Sequence, residues 1–293
     1  MAVNRIGFRP FLNKITGGEE LKIVIDSNAL IASGDDLHPN YGEITSFIRD
    51  LDQRANLTLY TTVTTKAEYL DYQRRRFLTE GLLSLSSLPE ISLASNVKAK
   101  LSTIKGRKNT REKNEIKRSQ GESDDIDSSY FYFRDSEIKE IKKVFRARDV
   151  QNEAGWLKIC DIFLSRKLMA EEALIDELCT YLSPYKEEQA HIFNNKVDWK
   201  NATKISAKSG MGFSDSMILN MVLATKIDYI LTLDYDLVYA SAVSALSKTV
   251  IIPDKRIKQF KQALKFIDKK LWRKFTTFQN IIFIILLSNS KNI

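Results

Sequence analysis

Four acidic residues, Asp26, Glu68, Asp215 and Asp234, each stand where an apolar run gives way to the next element of the chain. If they converge, they concentrate negative charge in one place. Two unit charges about 4 Å apart repel by roughly 4 kcal/mol at an effective dielectric near 20. Such a cluster is stable at neutral pH only with raised pKa values or with a divalent cation beside it. Ligation by oxygen alone favours a hard ion, Mg²⁺ or Mn²⁺, over zinc. A cation held in this way lowers the pKa of a bound water and neutralises charge developing on phosphoryl oxygens, the chemistry of metal-assisted phosphodiester hydrolysis. Histidine offers few alternatives, because His38 and His191 are the only two.

The acids need elements that bring them together. Asp26 closes LKIVIDSNAL, where Leu21, Ile23, Val24 and Ile25 form a β-branched stretch and Asp26-Ser27-Asn28 supplies turn chemistry. Asp234 has the same place in IDYILTLDYDLV, after Tyr229, Ile230 and Leu231, with Thr232 before it and Asp236 after it. Both runs are apolar nearly throughout, as buried parallel strands are. In an open parallel sheet, ligands bind outside the carboxyl ends of the strands, so acids remote in sequence can share one crevice. After the strand-like LTLYTT (57–62), TTKAEYLDYQRRRF places Ala67, Leu70 and Phe77 on a helical repeat, with Glu68 in the first turns. GFSDSMILNMVLATK predicts a helix capped by Ser214, with Met217, Ile218, Met221, Val222 and Ala224 on its period and Asp215 at its start.

Each acid also has a simpler reading. Asp26 can be an Asx-turn residue, Glu68 a solvated helix residue, Asp215 an acid favoured by the helix dipole, and Asp234 a turn former. The shared strand edge argues for the set. Asp71, one helical turn from Glu68, can face the same crevice.

At these residues the chain resembles the PIN-domain nucleases. The matching pattern is DSN at 26–28, Glu68 on the helix after the second strand, FSD at 213–215 opening a later helix, and TLD at 232–234 continued by DYDL. The resemblance covers roughly 20–80 and 205–255 and implies a three-layer α/β/α core with a central parallel sheet. It implies metal-dependent hydrolysis of phosphodiester bonds, with single-stranded RNA as the expected substrate. Asp26, Asp215 and Asp234 would hold one Mg²⁺ or Mn²⁺, Glu68 would help to hold it or a second ion, and Asn28, Thr232 and Asp236 would orient ligands or water. Nucleic acid is the expected partner, RNA before DNA, together with an antitoxin or other protein inhibitor. The competing class is a non-catalytic PIN-like scaffold that binds nucleic acid.

Compact PIN domains pass from the second acid to the third in far fewer residues than separate Glu68 from Asp215, so 81–204 reads as an insertion. Residues 98–118 are rich in Lys and Arg and poor in apolar side chains, and an acidic stretch follows, which predicts an exposed basic loop over about 98–127. Two helical patterns follow. SEIKEIKKVFRARDV carries Ile138, Ile141, Val144 and Phe145 on one face. EAGWLKICDIFLSRKLMAEEALIDELCTYL presents Trp156, Leu157, Ile159, Ile162, Phe163, Leu168, Leu174, Leu178 and Leu182, as one helix or two joined near Ser165, ended by Pro184.

An apolar fraction of 43% suffices for a sizeable core. The formal net charge of +8 concentrates in the 98–118 stretch and in DKRIKQFKQALKFIDKKLWRKF (254–275), a basic helix pattern that with the apolar tail makes up most of a C-terminal segment, 256–293. A cationic face of that kind suits a phosphate backbone. Cys160 and Cys179 lack CxxC spacing, which argues against a zinc site and for buried thiols in a reducing cytoplasm. The N-terminus shows no apolar signal core, so a cytoplasmic location is expected. The apolar tail IIFIILL (281–287) is far too short to span a membrane.

Two further motifs compete for the same residues. LTLDYDLV resembles the strand-ending motif of haloacid-dehalogenase phosphatases, with Asp234 as nucleophile and Asp236 as acid/base, but that motif normally opens its fold. SGMGFSDS places Gly210 and Gly212 before a helix as a phosphate cradle would, without a third glycine or a clear preceding strand.

Overall fold

The run that ends at Asp26 forms a strand in the middle of a parallel sheet. A computed structural model describes residues 5–87, 93–119, 132–148, 155–243 and 248–257. Its strands are β1 (Arg5–Gly7), β2 (Glu20–Ile25), β3 (Asn56–Thr61), β4 (Thr180–Tyr181), β5 (Tyr229–Leu231) and β6 (Thr249–Ile252). They form a 6-stranded sheet in the order β1-β6-β5-β2-β3-β4. Every pairing is parallel.

Helices α1 (Phe8–Leu12), α2 (Ser27–Gly34), α3 (Tyr41–Arg54), α4 (Val63–Ser86), α5 (Ser95–Ser119), α6 (Asp135–Arg148), α7 (Gly155–Cys160), α8 (Arg166–Leu178), α9 (Trp199–Ser209), α10 (Phe213–Ala224) and α11 (Tyr235–Val243) surround the sheet. Successive side chains of a strand point to opposite faces. Leu21, Ile23 and Ile25 of β2 therefore join one apolar cluster with α1, α2 and α3, and Val24 joins another with α9, α10 and α11. Leu231 and Ile251 fall on the first face, Ile230 and Val250 on the second. This is the expected three-layer α/β/α architecture.

The path of the chain explains why β2 and β5 matter. From β2 it moves outward to β3 and β4 on one side, and from β5 it moves to β6 on the other. The strand order reverses between β2 and β5, and a reversal of this kind opens a crevice at the carboxyl ends of the two strands. Asp26 and Asp234 follow those two strands.

The region between Glu68 and Asp215 differs from its sequence reading in several places. Residues 98–119 are not a loop: they lie within the 25-residue helix α5. Val97, Leu101 and Ile104 are buried at helical spacing, and the abundant Lys and Arg occupy the remaining faces. An apolar stripe this narrow is hidden in the average composition. Residues 120–127 of the predicted loop lie outside the described residues. The helix predicted from 136 matches α6, with Ile138 and Ile141 buried. The next pattern runs through α7, a π-helical segment (Asp161–Ser165) and α8. An extra residue per turn in a π segment rotates everything after it. Beyond it Leu174 and Leu178 are exposed, as are Ile162 within it and Leu157 before it, contrary to the single-period reading. The segment packs its Phe163 ring against Gly81 of α4, where a Cβ would lie 2.3 Å from Phe163 Cγ.

The helix ends at Leu178, before Pro184, because Cys179 turns extended and feeds β4. A strand of the central sheet thus lies inside the predicted 81–204 insertion. Ile175 and Cys179 belong to the first core cluster, and Leu182, Ile192 and Ile205 to the second. The inserted module narrows to the far half of α4 with α5, α6, α7 and the π segment, which share their own apolar cluster. The core also extends beyond 20–80, since β1 and α1 pack on the sheet. Of the basic pattern at 254–275, residues 254–257 form a helical turn. The rest of it and the apolar tail at 281–287 lie outside the described residues.

A buried carboxylate joins the module to the core. Asp35, 1% exposed after α2, accepts hydrogen bonds from the hydroxyls of Tyr72 and, at 3.4 Å, Tyr132. Arg111 of α5 donates to the Leu37 carbonyl at 2.6 Å. Among the described residues, no helix is long and apolar enough to cross a membrane.

Candidate functional site

Asp26 leaves β2 with extended backbone (φ −78°, ψ 157°) and serves as the N-cap of α2. Its Oδ1 accepts from the Ser27 amide at 2.8 Å and its Oδ2 from the Thr232 hydroxyl at 2.7 Å. The Asp26 amide donates to the Leu231 carbonyl at 2.9 Å, which ties the end of β2 to the end of β5. The side chain is 0% exposed. Burial pushes its pKa up to about 7; the bonds from Thr232 and Ser27 pull it down, and the charges of Asp215 and Asp234 push it further up.

Thr232 is the joint of the site. Its amide donates to the Ile251 carbonyl at 3.1 Å, while its hydroxyl oxygen accepts from the Asp234 amide at 2.9 Å. Asp234 precedes α11 and accepts at Oδ1 from the Asp236 amide, 2.9 Å away, so it caps that helix. Asp236 itself is exposed.

Asp215 reaches the site from the second face of the sheet. Helix α10 starts two residues earlier than its sequence suggests: Gly212, not Ser214, is the N-cap, and no side chain caps it. Asp215 is therefore within the first turn. A Cβ at Gly212 would lie 3.3 Å from Asp215 Oδ2, so the glycine leaves room for the carboxylate beside the backbone. Burial raises the Asp215 pKa to about 6, followed by the charges of Glu68, Asp234 and Asp236. Gly210 has a structural duty unlike a phosphate cradle, ending α9 in the left-handed region at φ 73°.

Glu68 lies in the second turn of α4, a helix capped by the Thr62 hydroxyl, which accepts from the Thr65 amide at 3.1 Å. Of the face predicted for α4, Phe77 is buried and Leu70 half-buried, but Ala67 is exposed, and Thr65, Tyr69 and Tyr72 are buried instead. The correct face still lets Glu68 act on Asp215. Asp71 is engaged elsewhere, by Arg74 at 2.7 Å and Arg75 at 3.2 Å.

The structure thus brings Asp26, Asp215 and Asp234 within electrostatic reach of one another, with Glu68 acting on Asp215. It sets Asn28 apart, exposed in the first turn of α2. The spacing is open: among the described residues, no three His, Cys, Asp or Glu side chains are grouped closely enough to hold one ion between them. The donor chemistry nevertheless suits a hard cation, being carboxylate oxygens alone, with Asp26 and Asp215 driven toward protonation by burial and then by neighbouring carboxylates.

One neighbour escaped the sequence reading. Arg256, beyond β6, donates from Nη1 to the Leu233 carbonyl and lies 5.3 Å from the Tyr235 ring centroid. Its signal was its place at the carboxyl end of one more apolar run, TVIIPDKR, next to the strand that carries Asp234. Comparison with protein-family models, curated proteins and solved structures finds no match to the chain.

Proposed function

We propose that this protein is a metal-dependent nuclease that hydrolyses phosphodiester bonds, with single-stranded RNA as its substrate. The observation that carries this reading is the mutual electrostatic reach of Asp26, Asp215 and Asp234 at the crevice where the strand order reverses. Four remote segments of sequence supply carboxylates to one edge. A purely structural role calls for pairing with cations, as Asp71 has with Arg74 and Arg75. Here, after burial, the charges of Asp215 and Asp234 push the Asp26 pKa up, and those of Glu68, Asp234 and Asp236 push the Asp215 pKa up.

The open spacing fits Mg²⁺ in particular, which dehydrates reluctantly and is commonly bound by one or two carboxylates plus waters and substrate phosphate. One or two of Asp26, Asp215 and Asp234 would bind it directly and the remaining acid through its waters, with Glu68 beside Asp215. When bound, the ion supplies an acidified water and neutralises phosphoryl charge. The chain supplies order. Thr232 fixes the Asp26 carboxylate and the Asp234 backbone through one hydroxyl, and the Asp236 amide fixes the Asp234 side chain. Such second contacts orient ligands and preserve their geometry.

A scaffold that binds nucleic acid without cleaving it is favoured by the same open spacing. One experiment separates the two. Labelled single-stranded RNA is incubated with the protein in Mn²⁺, in Mg²⁺ and in EDTA, beside Asp26→Asn and Asp234→Asn. A nuclease cleaves in the metals, stops in EDTA and loses at least about 100-fold in both variants. Binding without cleavage under all conditions establishes the scaffold, and undiminished cleavage by either variant rejects the site.

A further inference from the structure

Two side chains beside the acids have no role in holding a cation, and their chemistry is that of gripping a polymer. Arg256 gives a hydrogen bond to a neutral carbonyl, that of Leu233, the residue before Asp234. Its guanidinium packs on Tyr235, the residue after Asp234, and the Tyr235 hydroxyl donates to the Arg256 carbonyl at 3.4 Å. The arginine is thus hydrogen-bonded and stacked by neutral groups, and Glu43 of α3 is a carboxylate within its electrostatic reach. Its field extends to the loop before α3, where burial, chiefly, and then Arg111 and Arg256, hold His38 down to about 4 against the pull of Asp35. A positive charge positioned in this way beside acidic residues suits an anion carried in by substrate.

The second is Phe213, the first residue of α10 and two positions before Asp215. It is 52% exposed, between exposed Gly212 and Ser214. An aromatic face left open to water at the rim of a polar site has one common use in nucleic-acid proteins, the stacking of an unpaired base.

We propose that Arg256 and Phe213 grip a single nucleotide strand at the acids, a phosphate on Arg256 next to Asp234 and an unstacked base on Phe213 at the start of the helix that carries Asp215. The assignment rests on the nuclease reading and names the groups that would select a single strand, because a duplex keeps its base faces covered.

Binding tests it without any need for cleavage. A fluorescently labelled single-stranded oligoribonucleotide is titrated by anisotropy in EDTA at several KCl concentrations, with Asp234→Asn as the parent and a duplex RNA as the second ligand. Adding Arg256→Gln lowers the slope of log Kd against log[KCl] by about 0.7, the loss of one phosphate contact on a single strand. Arg256→Met keeps the packing on Tyr235, gives the same slope change, and takes the place of the glutamine variant if that one does not fold. Arg256→Lys retains the slope. Adding Phe213→Ala weakens the single strand by about fivefold or more, leaves the duplex unchanged, and is rescued by Phe213→Trp. An unchanged slope in the arginine variants overturns the assignment, as does a Phe213→Ala loss that is equal on both RNAs. A parent that binds no RNA defeats both readings, whereas binding with these effects but no cleavage by the wild-type chain in Mn²⁺ defeats the nuclease alone.

Discussion

The Thr232 hydroxyl donates to Asp26 Oδ2 at 2.7 Å, so the strands on the two sides of the order reversal are joined by the side chains at their carboxyl ends. The bond favours the ionised form of Asp26. Thr232→Val removes the donor and leaves Asp26 Oδ2 buried without it. The Asp26 pKa then rises further, and the fold loses about 1–3 kcal/mol at pH 8, the cost of an unmet buried acceptor. Thr232→Ser restores most of both. Carbon-detected NMR titration of Asp26 and urea denaturation give the two readouts.

Asp26 also sets a pH dependence whose sign is unusual for a carboxylate. Its pKa rises from 3.8 to about 7 on folding, so between those values the folded chain keeps a proton that the unfolded chain has released. Without metal, stability therefore falls as pH rises from about 4 to about 7 and stays low above it, by at most roughly 4 kcal/mol. Asp26→Asn removes this share of the dependence and leaves that of Asp215, which is confined below about pH 6. The metal-free variant is more stable than wild type at pH 8, and the difference shrinks toward pH 4. Denaturant midpoints at the two pH values check it.

Much of the site was legible because strand ends and turn residues are local signals. β2 and the run before Asp234 announce themselves by β-branched residues, and their carboxyl ends follow directly. What the sequence concealed was register. The extra residue in the π segment rotates α8 relative to α7, and no local propensity marks it. Helix α5 was concealed because its stripe of Val97, Leu101 and Ile104 occupies one narrow face of a strongly basic segment. The start of α10 was displaced because Ser214 is a stronger kind of cap than Gly212, which offers no side chain to signal the turn. Strand β4, only Thr180–Tyr181, is too short for any periodicity to report.

Glu68 and Asp71 are neighbours on α4 with different partners, which makes them separable. Glu68 raises the Asp215 pKa through its charge, while Asp71 is spent on Arg74 and Arg75. Glu68→Gln lowers the Asp215 pKa from about 6, and Asp71→Asn leaves it in place. In the cleavage assay, Glu68→Gln lowers kcat by about tenfold or more and shifts the acidic limb of the pH–rate profile downward. Asp71→Asn keeps that limb within error. The opposite pattern would transfer the role to Asp71.

Asp35 tests how firmly the inserted module is attached. It is almost fully buried and receives two tyrosine hydroxyls, with Arg76 4.0 Å away. Asp35→Ala strands those donors and costs about 2–4 kcal/mol in urea denaturation. Tyr72→Phe costs more than Tyr132→Phe, because the Tyr132 hydroxyl is 3.4 and 3.5 Å from the two carboxylate oxygens and so bonds weakly. Equal costs would show that the two hydroxyls contribute alike.

A divalent cation stabilises the folded chain if the acids bind it, and the pH dependence of that effect identifies which acids do so. A ligand at 100 times its Kd adds about 2.7 kcal/mol when it binds the folded state alone. At pH 8, Asp26 and Asp215 are predominantly ionised, above their values of about 7 and about 6. At pH 5 both are predominantly protonated, so protons compete with the cation. Thermal melts in Mn²⁺ therefore show a larger rise in Tm at pH 8 than at pH 5. Asp26→Asn and Asp215→Asn reduce the pH 8 rise, and Asp71→Asn does not, since its carboxylate belongs to the arginines of α4. A rise of equal size at both pH values, or one that survives both site variants, places the cation elsewhere on the molecule.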